Sequence, residues 1–193
     1  MKSNKKNTVI IVVVAVVILA IVAYYCYLVN RDRQTLEEQN LTVVQKVLAR
    51  DLEKDYPPSP KEVIKYYNEV MKCFYNEECS VEEIEALGRQ ARLLYDDELV
   101  ENNPWETYLA GLTLEIVQYK ETNRRIASAS VASSTDVEYF TDDGYEFARI
   151  RCGYSFTTGK TNESTVEVYL LRQDEDKHWK IYGWDLAENV YAE

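Results

Sequence analysis

The run from Thr8 to Val29, TVIIVVVAVVILAIVAYYCYLV, contains no charged residue. Beyond it the apolar positions fall into two regimes. As far as Asn123 they recur at helical spacing, in stretches separated by start signals and prolines. After Asn123 the period drops to two, the spacing of a strand with one buried face.

The first soluble stretch, 35–54, opens with Thr35-Leu36-Glu37-Glu38, a capping-box pattern, and places Leu41, Val44, Val47, Leu48 and Leu52 on one helical face. This helix either packs on the domain that follows, covering its core, or forms a stalk that associates with a second copy through residues 35–54. Tyr56-Pro57-Pro58-Ser59-Pro60 then breaks the chain, because proline fixes φ and disfavours helix at the residue before it. Ser59 is the expected N-cap of the next helix, with Pro60 at the first helical position and Glu62 completing a box. Val63, Ile64, Tyr67, Val70, Met71 and Phe74 form its stripe, to about Asn76. Ser80-Val81-Glu82-Glu83 starts a third helix, with Ile84, Leu87, Ala91 and Leu94 inward. Asn103-Pro104-Trp105-Glu106 starts a fourth, with Trp105, Leu109, Leu112, Ile116 and Tyr119 inward.

The alternating half predicts four strands. Ile126–Phe140 is the first, rich in small residues and bent or bulged near its Ser-Ala-Ser segment. Asp142-Asp143-Gly144 is a turn. Tyr145–Thr157 follows, with Ala148, Ile150, Cys152, Tyr154 and Phe156 on one face and Arg149, Arg151 and Ser155 on the other. Thr158–Glu163 is a loop. Thr165–Arg172 is the third strand, with Val166, Val168 and Leu170 sharing a face. After a charged tip at Asp174–Lys177, His178–Trp184 is the fourth, with Trp179 and Ile181 inward. Helices followed by an antiparallel meander predict an α+β fold, a helical half packed on a curved four-stranded antiparallel sheet.

Charge sharpens the division of the chain. A helix of 22 residues reaches roughly 33 Å, enough to cross a hydrocarbon core of ~30 Å. Tyr24, Tyr25 and Tyr27 suit the interface at its end. The run exceeds the apolar length of a cleaved signal peptide, and no small-x-small site follows it. Cys26 follows two tyrosines rather than the small residues of a lipid-modified cysteine. The expected layout is a short basic tail (1–7), a transmembrane helix in the lipid bilayer (8–29), a juxtamembrane helix and proline joint (30–58) and a soluble α+β domain (59–193). Lys2, Lys5 and Lys6 precede the span, against Arg31 and Arg33 after it, so a cell-membrane protein with a cytoplasmic N-terminus and an extracytoplasmic domain is expected. Residues 31–193 carry 19 of the 22 basic and all 33 acidic side chains, a balance of −14. With no basic stripe among them, nucleic acid is an unsuitable partner.

Candidate chemistry is sparse. His178 is the only histidine and adjoins a charged turn, where a solvent-facing role is expected. One histidine and scattered cysteines offer no zinc spacing, and no cofactor is implied. Cys73 and Cys79, six apart across a helix end, either form a disulfide in an external domain or remain two thiols. Cys152 reads as a buried small hydrophobe. Asp96-Asp97-Glu98, Asp142-Asp143 and Asp174-Glu175-Asp176 fall at turns or helix ends and lack an EF-hand pattern. Acid–base work needs paired carboxylates with environments that separate their pKa values, and the expected inward faces carry none. Two glycosylation sequons, Asn40-Leu41-Thr42 and Asn162-Glu163-Ser164, matter only in a eukaryotic secretory pathway.

The opening helix SPKEVIKYYNEVMKCF and the closing strands STVEVYLLRQDEDKHWKIYGW resemble the nuclear-transport-factor-two-like (cystatin-like, SnoaL-like) superfamily over roughly residues 59–187. The whole chain is also similar to membrane-anchored proteins of Gram-positive gut anaerobes. The resemblance implies a cone-like α+β fold able to enclose a pocket. The chain departs from many members in having no strand pattern between Leu94 and Asn103, where they carry a hairpin. Enzymes of the superfamily hold an acidic base and hydrogen-bond donors inside the cone. No matching motif occurs here, so no catalytic residue is carried over. The first expectation is therefore a non-enzymatic binding or assembly module. The alternative is a ligand pocket or small enzyme in the cone. Arg151, Tyr154, Phe156, Tyr169 and Trp179 are the candidate pocket or sheet-face contacts.

Overall fold

The computed structural model describes residues 20, 22–25 and 41–190. Ala20 and residues 22–25 are helical with exposed side chains. The rest of the expected span 8–29, and the capping box at Thr35–Glu38, lie outside the described residues. Among those described, no helix is long and apolar enough to cross a membrane. A separate folded unit begins at Val43.

Its elements run α1 (Val43–Leu48), α2 (Pro60–Asn76), α3 (Val81–Arg92), α4 (Asp97–Asn102), α5 (Trp105–Glu121), β1 (Arg124–Val131), β2 (Glu138–Asp142), β3 (Tyr145–Thr158), β4 (Thr161–Gln173), β5 (Trp179–Leu186) and α6 (Ala187–Val190). The fold is α+β, with helices packed against a five-stranded antiparallel sheet.

Of the helix expected over 35–54, the described part is helical only from Val43 to Leu48. The Asp51 carboxylate accepts from the Glu53 amide, and the Asp51 carbonyl accepts from the amides of Lys54 and Asp55. This local turn competes with continued helix. Val44, Val47 and Leu52 are nonetheless buried in the domain's core, and the Tyr66 hydroxyl donates to the Val47 carbonyl at 2.8 Å. The covering role is thus seen directly for this part of the segment.

The caps follow the sequence with small differences. Ser59 Oγ accepts from the Glu62 amide, while the Glu62 carboxylate pairs with Lys65 instead of closing the box. Ser80 and Glu83 form a full reciprocal box. Helix α5 has no side-chain cap: Asn103 turns back, and its amide donates to the Leu99 carbonyl at the end of α4. On α3, a Cβ built on Gly88 would meet Trp105 at 3.3 Å, so the glycine lets the indole lie against the helix.

The first expected strand is broken in two, which makes five strands of the four expected. After Val131 the chain forms a short 3-10 turn at Ser134–Asp136, with Ser133 Oγ accepting from the Thr135 amide, before β2 begins. Strands β1 and β2 pair with different stretches of β3 along one edge, so the sheet order is β1-β3-β4-β5 with β2 also on β3. The expected irregularity in β1 is a bulge between Ile126 and Ser128. Asp143 and Gly144 both have positive φ, the geometry of a tight hairpin turn. The loop expected at Thr158–Glu163 is instead a tight turn, because β3 and β4 stay paired as far as Thr158 and Thr161. A second bulge lies between β4 and β5: Leu170 pairs with Gly183 and Leu171 with Ile181, leaving Tyr182 extra.

One buried ion pair joins the helical half to the sheet. Arg172 on β4 donates from Nε and Nη2 to both carboxylate oxygens of Asp96, at 2.9 and 2.6 Å. Asp96 is 4% exposed and caps α4 through the Glu98 amide. Its backbone amide donates to the Ile181 carbonyl, and the Ile181 amide donates to the Leu94 carbonyl. Truncating the arginine leaves a buried carboxylate unpaired. Arg172→Met is therefore expected to cost about 3–5 kcal/mol in chemical denaturation. Adding Asp96→Asn to that variant is expected to recover part of the loss. A loss under about 1 kcal/mol, the scale of surface pairs, would show that the pair does not hold the junction.

Candidate functional site

Between the sheet and helices α2 and α5 lies a cavity of about 360 Å³, within the range of small-molecule sites. Helix α2 supplies Tyr67, Met71 and Tyr75, spaced at i, i+4 and i+8 so that they share a face. Helix α5 supplies Thr107, Tyr108, Gly111, Leu112, Glu115 and Tyr119, its edge nearest the opening. The sheet contributes Tyr154 and Phe156 from β3, Glu167 and Tyr169 from β4 and Trp184 from β5; Tyr95 closes the wall at the junction. Seven of the sixteen tyrosines line this one space.

Three of the five candidate contacts, Tyr154, Phe156 and Tyr169, line the cavity. Arg151 does not: it is exposed and borders a shallow groove with Val137 and Arg149. Trp179 is half-buried at the core's margin, beside Tyr139, with its carbonyl accepting from the Tyr56 hydroxyl. Trp184 takes the inward position because the bulge at Tyr182 shifts the parity of β5 and sets Trp184 opposite Tyr169, ring on ring at 6.0 Å. The expectation that inward faces carry no carboxylate is corrected by Glu167. Its strand has apolar residues on both faces, and the face turned to the helices is that of Glu167, Tyr169 and Leu171.

Elsewhere, Cys73 and Cys79 carry free thiols, with Cys79 Sγ 3.4 Å from the Cys73 carbonyl oxygen. His178 stacks on Tyr56 at 4.3 Å while its side chain stays 40% exposed. Among the described residues no three His, Cys, Asp or Glu side chains group as metal ligands.

A family model described as a domain of unknown function (DUF6715) matches residues 1–184. The chain belongs to this family. No curated protein matches it. The match takes in the apolar run 8–29 together with the folded unit as far as Trp184.

A polar chain crosses the wall of the DUF6715 cavity. The Tyr169 hydroxyl donates to Glu167 Oε2 at 2.7 Å and lies 2.7 Å from the Tyr154 hydroxyl. Tyr154 donates to Asn68 Oδ1 at 2.6 Å, and Asn68 Nδ2 donates to Cys152 Sγ at 3.4 Å. Proton counting constrains this chain. Three oxygen–oxygen contacts need three protons, and two tyrosines supply two. Either Glu167 is protonated and donates to Tyr169, or the Asn68 amide is reversed and the Cys152 thiol donates to it. The two arrangements differ in the charge on Glu167. Burial is the main cause that raises the Glu167 pKa, helped by the Glu115 carboxylate and opposed by the Tyr169 hydrogen bond. Burial likewise holds the Tyr67, Tyr154 and Tyr169 phenols protonated. The Tyr75 hydroxyl, on a residue 5% exposed, has no hydrogen-bond partner.

A carboxylic acid with a raised pKa binds its proton more tightly folded than unfolded. Stability is therefore lost as pH rises from the ordinary glutamate range through the raised value. Glu167→Gln keeps an acceptor for Tyr169 and removes the charge. Its melting temperature is expected to exceed that of the parent at neutral pH and to match it at acid pH. An unchanged difference across the titration would mean that Glu167 is not held in this way.

Proposed function

We propose that the chain is a single-pass membrane-anchored binding protein whose domain takes a small organic ligand into the tyrosine-lined cavity. The observation that carries this reading is the cavity itself, with an unpartnered hydroxyl on its wall and an unneeded glycine at its rim. Gly111 sits in the interior of α5, where glycine costs about 0.5–1 kcal/mol relative to alanine. A Cβ built there meets nothing within 4 Å, so no neighbour in the fold requires it. Buried polar groups ordinarily find partners, and Tyr75 is left for a guest to satisfy.

The anchor is supported by the uncharged run 8–29 and by the family match that spans it. Lys2, Lys5 and Lys6 before that run favour a cytoplasmic N-terminus and an extracytoplasmic domain. Helices preceding an antiparallel meander, with a cavity between the layers, support membership of the nuclear-transport-factor-two-like superfamily with its cone-like form. In this reading the mouth is formed by α5 and Trp184, and the hairpin of other members is replaced by helix α4. A binding role without catalysis fits a site whose phenols are held protonated and whose polar groups are mostly engaged with one another.

A second reading keeps the outer face of the sheet as a protein-docking surface. There Arg172 lies between the rings of Tyr145 and Tyr182, at 4.8 and 4.9 Å, and Tyr145 is half exposed. Aromatic residues and arginine are enriched where proteins meet.

Saturation-transfer NMR of a fragment set against the full-length protein in micelles separates the two readings. Gly111→Trp fills open space at the rim and is expected to abolish binding of those fragments that the parent takes up. A fragment profile identical in the two proteins would remove the cavity as the site. Topology is checked by adding protease to intact cells: cleavage of the domain is expected, and protection until lysis would place it on the inner face.

A further inference from the structure

We infer that the cavity selects an organic ammonium ion, with Glu167 and Glu115 as counter-ions and tyrosine ring faces as walls. This rests on the cavity being the binding site and adds the chemical class of its occupant.

The lining contains two carboxylates and no Lys, Arg or His. The negative faces of aromatic rings attract cations, most strongly where water is displaced. Pockets of converging aromatic rings are used to recognise organic ammonium groups. Two features of the pocket fit a guest. Tyr75 presents a buried hydroxyl with no hydrogen-bond partner, near the Glu115 carboxylate, and the exposed Gly111 leaves the rim open.

Surrounding charges point the same way. Glu167 is faced by Glu115 and Tyr119 from α5 and by Cys152 and Tyr154 from β3, with Tyr169 beside it on β4. The neighbouring cation, Arg124 on β1, lies over the rings of Phe156 and Tyr119, at 4.4 and 5.3 Å, and pairs through Nη2 with Glu163 at 3.5 Å, while its buried Nε has no hydrogen-bond partner. Burial, helped by the nearby carboxylate of the exposed Glu115, raises the Glu167 pKa and so favours a bound proton when the cavity is empty. An ammonium ion replaces that proton as the neutralising charge. Binding of the cation is therefore coupled to proton release from Glu167. It is coupled also to reversal of the hydrogen-bond chain through Tyr169, Tyr154 and Asn68, so that the Cys152 thiol becomes its terminal donor.

The test uses full-length protein in phosphatidylglycerol nanodiscs and two ligands of equal shape, choline and its uncharged carbon isostere 3,3-dimethylbutan-1-ol. Isothermal titration is expected to show choline at least about tenfold tighter, the scale of a desolvated cation–π contact. Its affinity should rise with pH, and its heat should vary with buffer ionisation enthalpy in the sense of proton release. Glu167→Gln should bring the two ligands toward parity and abolish the proton release. Equal or tighter binding of the isostere overturns the inference while leaving the cavity a binding site. Silence from both overturns it as well, and the fragment comparison with Gly111→Trp then judges the cavity separately. Repeating the titration in phosphatidylcholine nanodiscs identifies the source of the ammonium group. Competition from the bilayer assigns it to a lipid headgroup, and an unchanged affinity assigns it to a free solute; either supports the inference.

Discussion

The contact between Asp96 and Arg172 fixes the distance between the two layers of this domain. Asp96 stands where α3 gives way to α4, and Arg172 stands near the end of the longest pair of strands. Around them the backbones of Leu94, Asp96 and Ile181 bond to one another, a single parallel bridge between a helical layer and an antiparallel sheet. This knot holds the chain at one side. Helix α5, reached through α4, has little of its surface buried, Leu112 and Ile116 being its two buried residues. It packs on α2, α3 and β1 and leaves the space toward β4 unfilled. The cavity is thus a consequence of where the helical layer is pinned and where it is not.

A space of this kind would close if collapse were free. Its walls explain why it is not. Phenylalanines would drive the wall together by the ordinary burial of apolar area. Tyrosines bury nearly the same ring and bring a hydroxyl that must find a partner. Tyr154, Tyr169, Asn68 and Glu167 satisfy one another along the sheet, and Tyr67 and Tyr95 do so across it at 3.2 Å. The rings are braced in turn by one another: Tyr67, Tyr95 and Tyr169 all meet Trp184 at about 6 Å. Closing the cavity would break these hydrogen bonds or bury Glu167 deeper, and both are costly.

Much of the scaffold was legible in the sequence, and the reasons differ by element. Helix α2 announces itself because six apolar residues keep a single 3.6-residue stripe, and Ser59 and Pro60 mark its start. The hairpin at Asp143-Gly144 is written in residues that tolerate positive φ. Helical continuation past Leu48 was not, because Asp51 uses its side chain locally, in a way that periodicity does not register. The site was harder. Period two assigns residues to two faces without saying which is inward. On β4 both faces are apolar, with Val166, Val168 and Leu170 on one and Tyr169 and Leu171 on the other. Glu167 was hidden by that ambiguity. Trp184 was hidden by the bulge at Tyr182, since one extra residue reverses every later assignment on the strand. A compositional feature runs alongside the cavity without locating it: sixteen tyrosines in a chain with four phenylalanines.

That excess is informative because tyrosine is a poor way to fill a core that needs only to be full. Each buried phenol demands a hydrogen bond that a phenylalanine would not, and in this domain one such demand, at Tyr75, goes unanswered. Gly111 makes the same point from the opposite direction. A residue that weakens its helix and touches nothing contributes no stability that alanine would not exceed. Departures from local consistency in natural sequences concentrate where function sets the residue. Here the departures share one cavity: a hydroxyl without a partner, a glycine without a neighbour and a carboxylate within an aromatic wall. Stability explains none of the three alone, and the proposed guest, a cation occupying the space by the rim, would account for them together.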